Sequence, residues 1–237
     1  MSYLKMFFKG VSDGYGGKMY VPTTAGLIAV IAVIVLAVVV ASFIIGKKNV
    51  KISTKQLTIT AVCVALAFVT SNIKFFKLPF GGSVTLFSML FICLIGYWYG
   101  VAAGVSTGIA FGLLGLITDP YVLTLPQMLV DYPLAFGALG LSGIGYHMKK
   151  DLTVGPFSFG GLQLGYILGV LGRYFFAFLS GVIFFADYAP KGWKPVPYSL
   201  AYNGTYLGVE AALTLVVLVV PQVVNALGFV KKRLHSL

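Results

Sequence analysis

Charged and reactive side chains are scarce in this chain of 237 residues. Only 10% of the residues are charged, six are Asp or Glu, and there are two histidines and two cysteines. His147 and His235 lie beside basic clusters outside the apolar segments, so the sequence predicts no Ser-His-Asp, Cys-His or two-His arrangement. Neither Gly-Lys pair is followed by Ser or Thr, which excludes a GxxxxGK[ST] phosphate loop. We therefore expect no enzyme, no metal site, no cofactor and no ATP hydrolysis by that loop.

Apolar residues dominate the composition: 59% of the chain is hydrophobic and the mean hydropathy is +0.96. Runs of about 20 apolar residues recur, which is the length that crosses hydrocarbon as a helix. These residues come in blocks and do not alternate, so the sequence predicts an all-α polytopic membrane protein and not a barrel. The net charge of +11 sits in short clusters at helix ends, which favours membrane topology over a nucleic-acid partner.

The chain divides into four segments by composition. Residues 1–23 are polar and glycine-rich and are expected to form a flexible tail. Residues 24–46 are almost wholly Val, Ile, Ala and Leu and lack the exit of a cleaved signal peptide, so they predict an additional transmembrane helix. Residues 52–230 predict a six-helix substrate-binding membrane domain, and 231–237 a basic cytoplasmic tail.

Basic clusters assign the orientation of these helices. Lysines follow the 24–46 helix, the fourth core helix and the sixth core helix, and such clusters mark the cytoplasmic side. The N-terminus and the loops at 74–83, 118–122 and 187–197 are then expected outside. The six core helices are expected over about 54–73, 84–98, 100–118, 123–146, 158–186 and 199–229.

Small residues recur at helical spacing on two core helices. A series of glycines on the third helix predicts close packing against a neighbour. The pair Ala61 and Ala65 on the first helix has two interpretations, ordinary internal packing or a docking face for another membrane subunit. The glycines are Gly100, Gly104, Gly108, Gly112 and Gly115.

Asp131 is the acid most indicative of function. A carboxylate within a membrane helix costs on the order of 3 kcal/mol to insert, so a partner must stabilise it. Arg173 could form a structural ion pair with it, or a ligand cation could neutralise it. Glu210 is the other membrane acid and is expected to face away from the same site, while Arg173 is expected to be structural.

Residues 173–204 combine an aromatic helix, a proline-broken loop and a helix with a polar start. That start contains Tyr198, Ser199, Tyr202 and Asn203. Aromatic rings facing polar groups suit a flat, cationic, ring-containing ligand. The alternative is a re-entrant loop with interfacial Tyr and Trp anchors.

Several segments resemble the thiamine-binding S-components of energy-coupling factor (ECF) vitamin transporters of Gram-positive bacteria. The resemblance covers about 52–230 and leaves residues 1–46 outside. The segments that carry it are LPFGGSVTLFSML at 78–90, LVDYPLAFG at 129–137, RYFFAFLSGVIFFADYAPKG at 173–192 and PYSLAYNGTY at 197–206, together with the glycine-spaced third helix.

The resemblance implies a six-helix bundle in the bacterial plasma membrane, without catalysis. Its ligand pocket would lie near the outer surface, capped by the loop between the first two core helices. The partners implied are a transmembrane T-component, which such proteins contact through the small-residue pair Ala61 and Ala65, and two ATPase subunits.

The resemblance also assigns site residues. Asp131 occupies the ligand-facing acid position, Tyr132 follows it, and Tyr121 falls at the upstream aromatic position. Tyr198 and Asn203 match the polar start of the sixth helix, and Phe185 falls where some members have Trp. The departures from the family pattern are Ala177, where a histidine is usual, and Gly82 and Phe87 in a cap region where some members have Trp or Glu.

These residues predict a subunit that captures thiamine at the outer face and delivers it inward. Asp131 would neutralise the thiazolium cation, and Asn203 would supply paired donors and acceptors to the aminopyrimidine. Ala177 leaves a second interpretation open, in which the same fold binds a pyrimidine precursor or another heteroaromatic cation. A third is a non-transporting membrane assembly protein that uses 24–46 as an interaction module.

Overall fold

The computed structural model describes residues 6–12, 18–26, 28, 29, 32, 53–148, 152–154 and 157–235. Its helices are α1 (Thr54–Ser71), α2 (Ser88–Tyr99), α3 (Val101–Thr118), α4 (Leu125–Tyr146), α5 (Gly161–Phe184), α6 (Pro195–Leu218) and α7 (Pro221–His235). The strands form antiparallel hairpins, which are β1 (Phe8–Ser12) with β2 (Lys18–Pro22), β3 (Lys74–Lys77) with β4 (Ser83–Thr85), and β5 (Leu152–Val154) with β6 (Phe157–Phe159).

The six-helix core agrees with the fold class expected from the apolar blocks. Among the described residues, α1, α3, α4 and α5 are each long and apolar enough to cross a membrane. Helix α2 is shorter but equally apolar, and α6 passes the same test together with α7. The expected additional helix over 24–46 lies almost entirely outside the described residues; at its start, residues 24–26, 28, 29 and 32 are helical.

The sixth core helix is broken, which corrects the prediction of one helix over 199–229. Helix α6 ends at Leu218, and α7 turns away from it by 85°. Pro221 explains the break, because proline lacks a backbone N–H and its ring clashes with the carbonyl four residues earlier. Residues 231–235, expected in a basic tail, form the last turns of α7.

Lys231 fixes α7 across the inner end of the bundle. Its ammonium lies 3.9 Å from the ring centroid of Tyr97 on α2 and 4.9 Å from that of Tyr146 on α4. It also donates a hydrogen bond to the Tyr146 carbonyl at 3.3 Å. Helix α7 therefore closes the end of the bundle that the basic clusters assign to the cytoplasm.

The N-terminal segment contains a hairpin, where the sequence predicts a flexible tail. Strands β1 and β2 pair from Phe8 with Pro22 to Ser12 with Lys18. The Tyr20 N–H donates to the Val122 carbonyl at 2.5 Å, in the loop after α3. The hairpin thus lies at the same end of the molecule as that loop, which agrees with the expected topology.

Glycines bring α3 and α4 into backbone contact, which confirms the packing role expected from their spacing. A Cβ placed on Gly104 would lie 2.8 Å from the Gly140 Cα. A Cβ on Gly108 or Gly112 would collide with a carbonyl oxygen of α4, that of Phe136 or Tyr132. The two helices therefore form one rigid wall.

Helix α4 changes its winding where it carries Asp131. A π turn over Val130–Leu134 contains Asp131, Tyr132 and Pro133, and a 3₁₀ segment follows over Leu139–Tyr146. The wide turn accommodates Pro133, which cannot donate to the regular hydrogen-bond ladder. Wide turns of this kind recur at functional sites.

Gly112→Ala should destabilise the protein, because the added methyl group pushes against the Tyr132 carbonyl in the π turn. We expect the free energy of unfolding to fall by about 1–3 kcal/mol, as it does at other overpacked sites. The measurement is thermal unfolding in one detergent.

The matched control is Gly208→Ala, since no heavy atom of the described residues lies within 4 Å of a Cβ there. That variant should be neutral or slightly more stable than the parent. Equal melting temperatures for Gly112→Ala and the parent would contradict the close contact.

Candidate ligand-binding site

A cavity of about 210 Å³ lies between the β3–β4 hairpin, the loop after α3, and helices α4, α5 and α6. Six residues predicted from the sequence to bind a ligand all line it. They are Tyr121, Asp131, Tyr132, Phe185, Tyr198 and Asn203. The fold thus brings together residues up to 82 positions apart; their contact with a ligand stays a prediction.

Asp131 is held at the cavity by a glutamine that the sequence analysis did not single out. The Gln127 side-chain amide donates to Asp131 Oδ2 at 2.5 Å and to the Tyr121 carbonyl at 3.1 Å. Its carbonyl oxygen accepts from the Leu123 N–H at 2.9 Å. Gln127 precedes Asp131 by four residues, a spacing that places both on one helix face and could have identified it.

Arg173 lines the same cavity but forms no ion pair with Asp131. Both residues are described, and no ion pair joins them. The guanidinium lies 3.9 Å from the centroid of the Phe136 ring, in a cation–π contact. The structural ion pair considered from the sequence is therefore not formed between these residues.

Tyr132 connects the acid-bearing turn to the loop after α3. Its hydroxyl accepts from the Tyr121 N–H at 2.7 Å and donates to the Asp119 carbonyl at 3.3 Å. Asp119 also pairs with Lys74 of the β3–β4 hairpin through its side chain. Tyr132 therefore links the acid-bearing turn to the outer rim of the cavity through its hydroxyl.

Aromatic rings form an arc along the outer part of the cavity. Tyr121 and Phe185 stack with their ring centroids 5.9 Å apart at an interplanar angle of 24°. Tyr188 contacts Phe185 at 5.8 Å and Phe80 of the cap at 4.6 Å. Such rings present a negative face to a bound cation.

Asn203 joins α6 to α5 as well as lining the cavity. Its side-chain nitrogen donates to the Ala177 carbonyl at 3.2 Å and to the Ser199 carbonyl at 3.0 Å. Its Oδ1 accepts from the Tyr206 hydroxyl at 3.0 Å. The side-chain nitrogen is thus used within the protein, and Oδ1 has one lone pair left for a ligand. Asn203 therefore offers an acceptor, and not the paired donor and acceptor expected from the sequence.

Glu210 lines the cavity, which contradicts the expectation that it faces elsewhere. It is 2% exposed and accepts hydrogen bonds from the N–H and hydroxyl of Thr85, the Ser88 hydroxyl and the Met89 N–H. It follows Asn203 by seven residues, or two helical turns. That spacing keeps both residues on one face and could have predicted the result.

The β3–β4 hairpin covers the cavity as the cap expected between the first two core helices. Tyr202 on α6 accepts a hydrogen bond from the Gly82 N–H at 2.9 Å and donates to the Pro79 carbonyl. A Cβ on Gly82 would lie 2.6 Å from that Tyr202 hydroxyl, so a larger residue there would displace the Tyr202 side chain. Phe87, the other departure from the family pattern, adopts a left-handed φ of 60° before α2.

Ala61 and Ala65 lie apart from this cavity. Both are exposed on α1, whose opposite face buries Cys63 and Ala67 against the core. Internal packing of the pair, one of the two interpretations of its spacing, therefore does not occur in the described bundle. No described residue buries Ala61 or Ala65.

Comparisons with known proteins relate this chain to thiamine transporters. The family model described as Thiamine transporter protein matches residues 57–229. Thiamine transporter ThiT of Bacillus subtilis is 37% identical over 153 residues, which cover 62% of this chain and 78% of that protein. ThiT of Lacticaseibacillus paracasei is 28% identical over 198 residues, covering 78% and 93%.

A solved structure of ThiT from Listeria monocytogenes has the same fold. The TM-score is 0.54 at 22% sequence identity, and the match covers 71% of this chain and 96% of that chain. The segment before residue 57, which includes the β1–β2 hairpin, lies outside the family match.

Proposed function

Because this chain belongs to the thiamine transporter protein family, we propose that it is the thiamine-binding S-component of an ECF-type importer. The chain is a multi-pass bacterial cell-membrane protein and a transporter, not an enzyme. It would capture thiamine at the outer face and deliver it inward with a T-component and two ATPase subunits. The observation that carries this proposal is the Asp131 carboxylate, free of an ion pair with Arg173 and facing an aromatic-lined cavity.

The charge of the cavity supports a singly positive ligand. Among the described residues that line it, Lys74 and Asp119 pair with each other. Asp131, Glu210 and Arg173 then leave one formal negative charge. The thiazolium ring of thiamine is a permanent cation that would balance this charge. Each Tyr or Phe ring whose face meets that cation would add about 0.5–2 kcal/mol of cation–π attraction.

Asp131→Asn should weaken thiamine binding by about 10- to 100-fold, because it removes one charge from a partly desolvated contact. Isothermal titration of the purified protein measures this change. Asp187→Asn is the matched control, since Asp187 is exposed on the outer loop and does not line the cavity. Unchanged affinity of the Asp131 variant would refute the role of the carboxylate.

A ligand series tests which part of the vitamin the cavity recognises. Thiamine should bind more tightly than its monophosphate and diphosphate, because added negative charge opposes the carboxylates. It should also bind more tightly than its aminopyrimidine half, which lacks the cationic ring. Competition against labelled thiamine ranks the four compounds.

Ala177 gives one reason to keep a second candidate in this series. A small side chain stands on the cavity wall where the family usually has a histidine. If the aminopyrimidine half binds as tightly as thiamine, the protein serves a precursor and not the vitamin.

The exposed face of α1 supports the proposed docking of a T-component. Its small residues allow a partner helix to approach closely in the bilayer. Leu57, Val62 and Leu66 surround the pair with apolar surface that is 42–64% exposed. The chain has no phosphate loop, so an energised cycle needs ATPases from elsewhere.

The double substitution Ala61→Leu/Ala65→Leu should abolish copurification with the T-component and ATPases while leaving thiamine affinity within about 2-fold, because the bulky side chains block helix approach away from the cavity. Tagged protein in the native membrane provides the measurement. Ala212→Leu, an exposed alanine on α6, is the control and should copurify like the parent. A parent that copurifies with neither partner would favour a non-transporting assembly protein.

A further inference from the structure

Glu210 acts as the N-terminal cap of a helix that begins more than 120 residues earlier. Thr85 and Met89 donate their backbone N–H groups to it at 3.2 Å each. Phe87, which precedes α2, has a left-handed φ and an aromatic side chain that cannot accept a hydrogen bond. The first turn of α2 therefore takes its acceptor from α6, and an anionic group there also suits the helix dipole.

The donors around Glu210 occupy both carboxylate oxygens. The Thr85 hydroxyl lies 2.6 Å from Oε2 and the Ser88 hydroxyl 3.2 Å from Oε1, in addition to the two backbone groups. The two hydroxyls also lie 2.7 Å apart, so the Thr85 oxygen and Oε1 of Glu210 share the Ser88 proton, while the Thr85 hydroxyl and the two backbone N–H groups donate to the carboxylate. Glu210 thus differs from Asp131, whose side-chain hydrogen-bond donor among the described residues is the amide of Gln127.

A second contact ties the same cap to the same helix. Tyr202 bonds to Pro79 and Gly82 in the turn between β3 and β4. Tyr202 and Glu210 are eight residues apart, about 12 Å along α6, and i, i+4, i+8 spacing through Tyr206 keeps them on one face. Helix α6 therefore holds the cap at two places. Tyr202 binds the turn between β3 and β4, which is the tip of the cap, and Glu210 binds Thr85 at the end of β4, which is its base.

We propose that Glu210 is a positioning residue that couples the cap to α6 and thereby slows release of the ligand. The side chains of Tyr198 and Asn203 on α6 line the cavity that the cap covers. A shift of the cap base against α6 changes the height of the cavity and exposes its contents. The ligand part of this inference rests on the proposed function, while the coupling of cap and helix does not.

The test compares Glu210→Gln with the parent in two measurements. Gln replaces one acceptor oxygen by a donor, which faces the N–H of Thr85 or Met89. Hydrogen exchange of the 85–89 amides without ligand should accelerate by roughly 10-fold or more, as expected for loss of hydrogen bonds to a charged group. Dissociation of labelled thiamine should accelerate by about 10-fold, with association within about 2-fold of the parent.

Two further variants keep the test informative if Glu210→Gln fails to fold. Thr85→Val removes one hydroxyl donor and should accelerate exchange and release in the same direction by a smaller factor. Thr85→Ser retains both donors and should match the parent.

Each outcome has a defined meaning. Unchanged exchange at 85–89 in both Glu210→Gln and Thr85→Val would overturn the coupling. Reduced thiamine affinity with unchanged exchange would make Glu210 a ligand contact instead of a positioning residue. Faster exchange in a protein whose parent does not bind thiamine would sustain the coupling and refute the proposed function.

Discussion

A carboxylate inside a membrane must be met by hydrogen-bond donors or by a cation, and this requirement organises the bundle. The two membrane acids meet it differently. Glu210 is surrounded by donors from the cap and from the start of α2. Asp131 faces a cavity, with a side-chain amide as its donor and Arg173 engaged with an aromatic ring. One acid therefore joins elements of the structure, and the other lines the cavity, where we propose that a positively charged ligand binds.

The site has one rigid wall and one wall built from side-chain contacts. Glycines press α3 against α4, and the π turn that carries Asp131 lies within that contact. The opposite wall consists of the cap and α6, joined through hydroxyl and carboxylate groups. Hydrogen bonds to a cap can exchange with water more easily than packed backbones can separate, so motion is expected on that side.

Much of this arrangement could be predicted because apolar block length and small-residue spacing report directly on membrane helices. Helices α1, α3 and α4 begin and end within two residues of the expected bounds. The bend before Pro221 was missed because the apolar run continues past it. Gln127 and Glu210 were missed although both share a helix face with a residue already assigned to the site. Strands β1 and β2 depend on pairing with each other, and composition alone does not predict such pairing.

The backbone contact between α3 and α4 also restricts how binding preference can diverge among related proteins. The facing glycines of α3 and α4 have no side chains to enlarge or exchange. Substitutions at these glycines therefore disrupt helix packing before they change the shape of the cavity. New selectivity is then expected from the cap, α5 and α6, where side chains of ordinary size line the cavity. Ala177, where this sequence leaves the common family pattern, lies on α5, and Gly82, a second such position, lies on the cap.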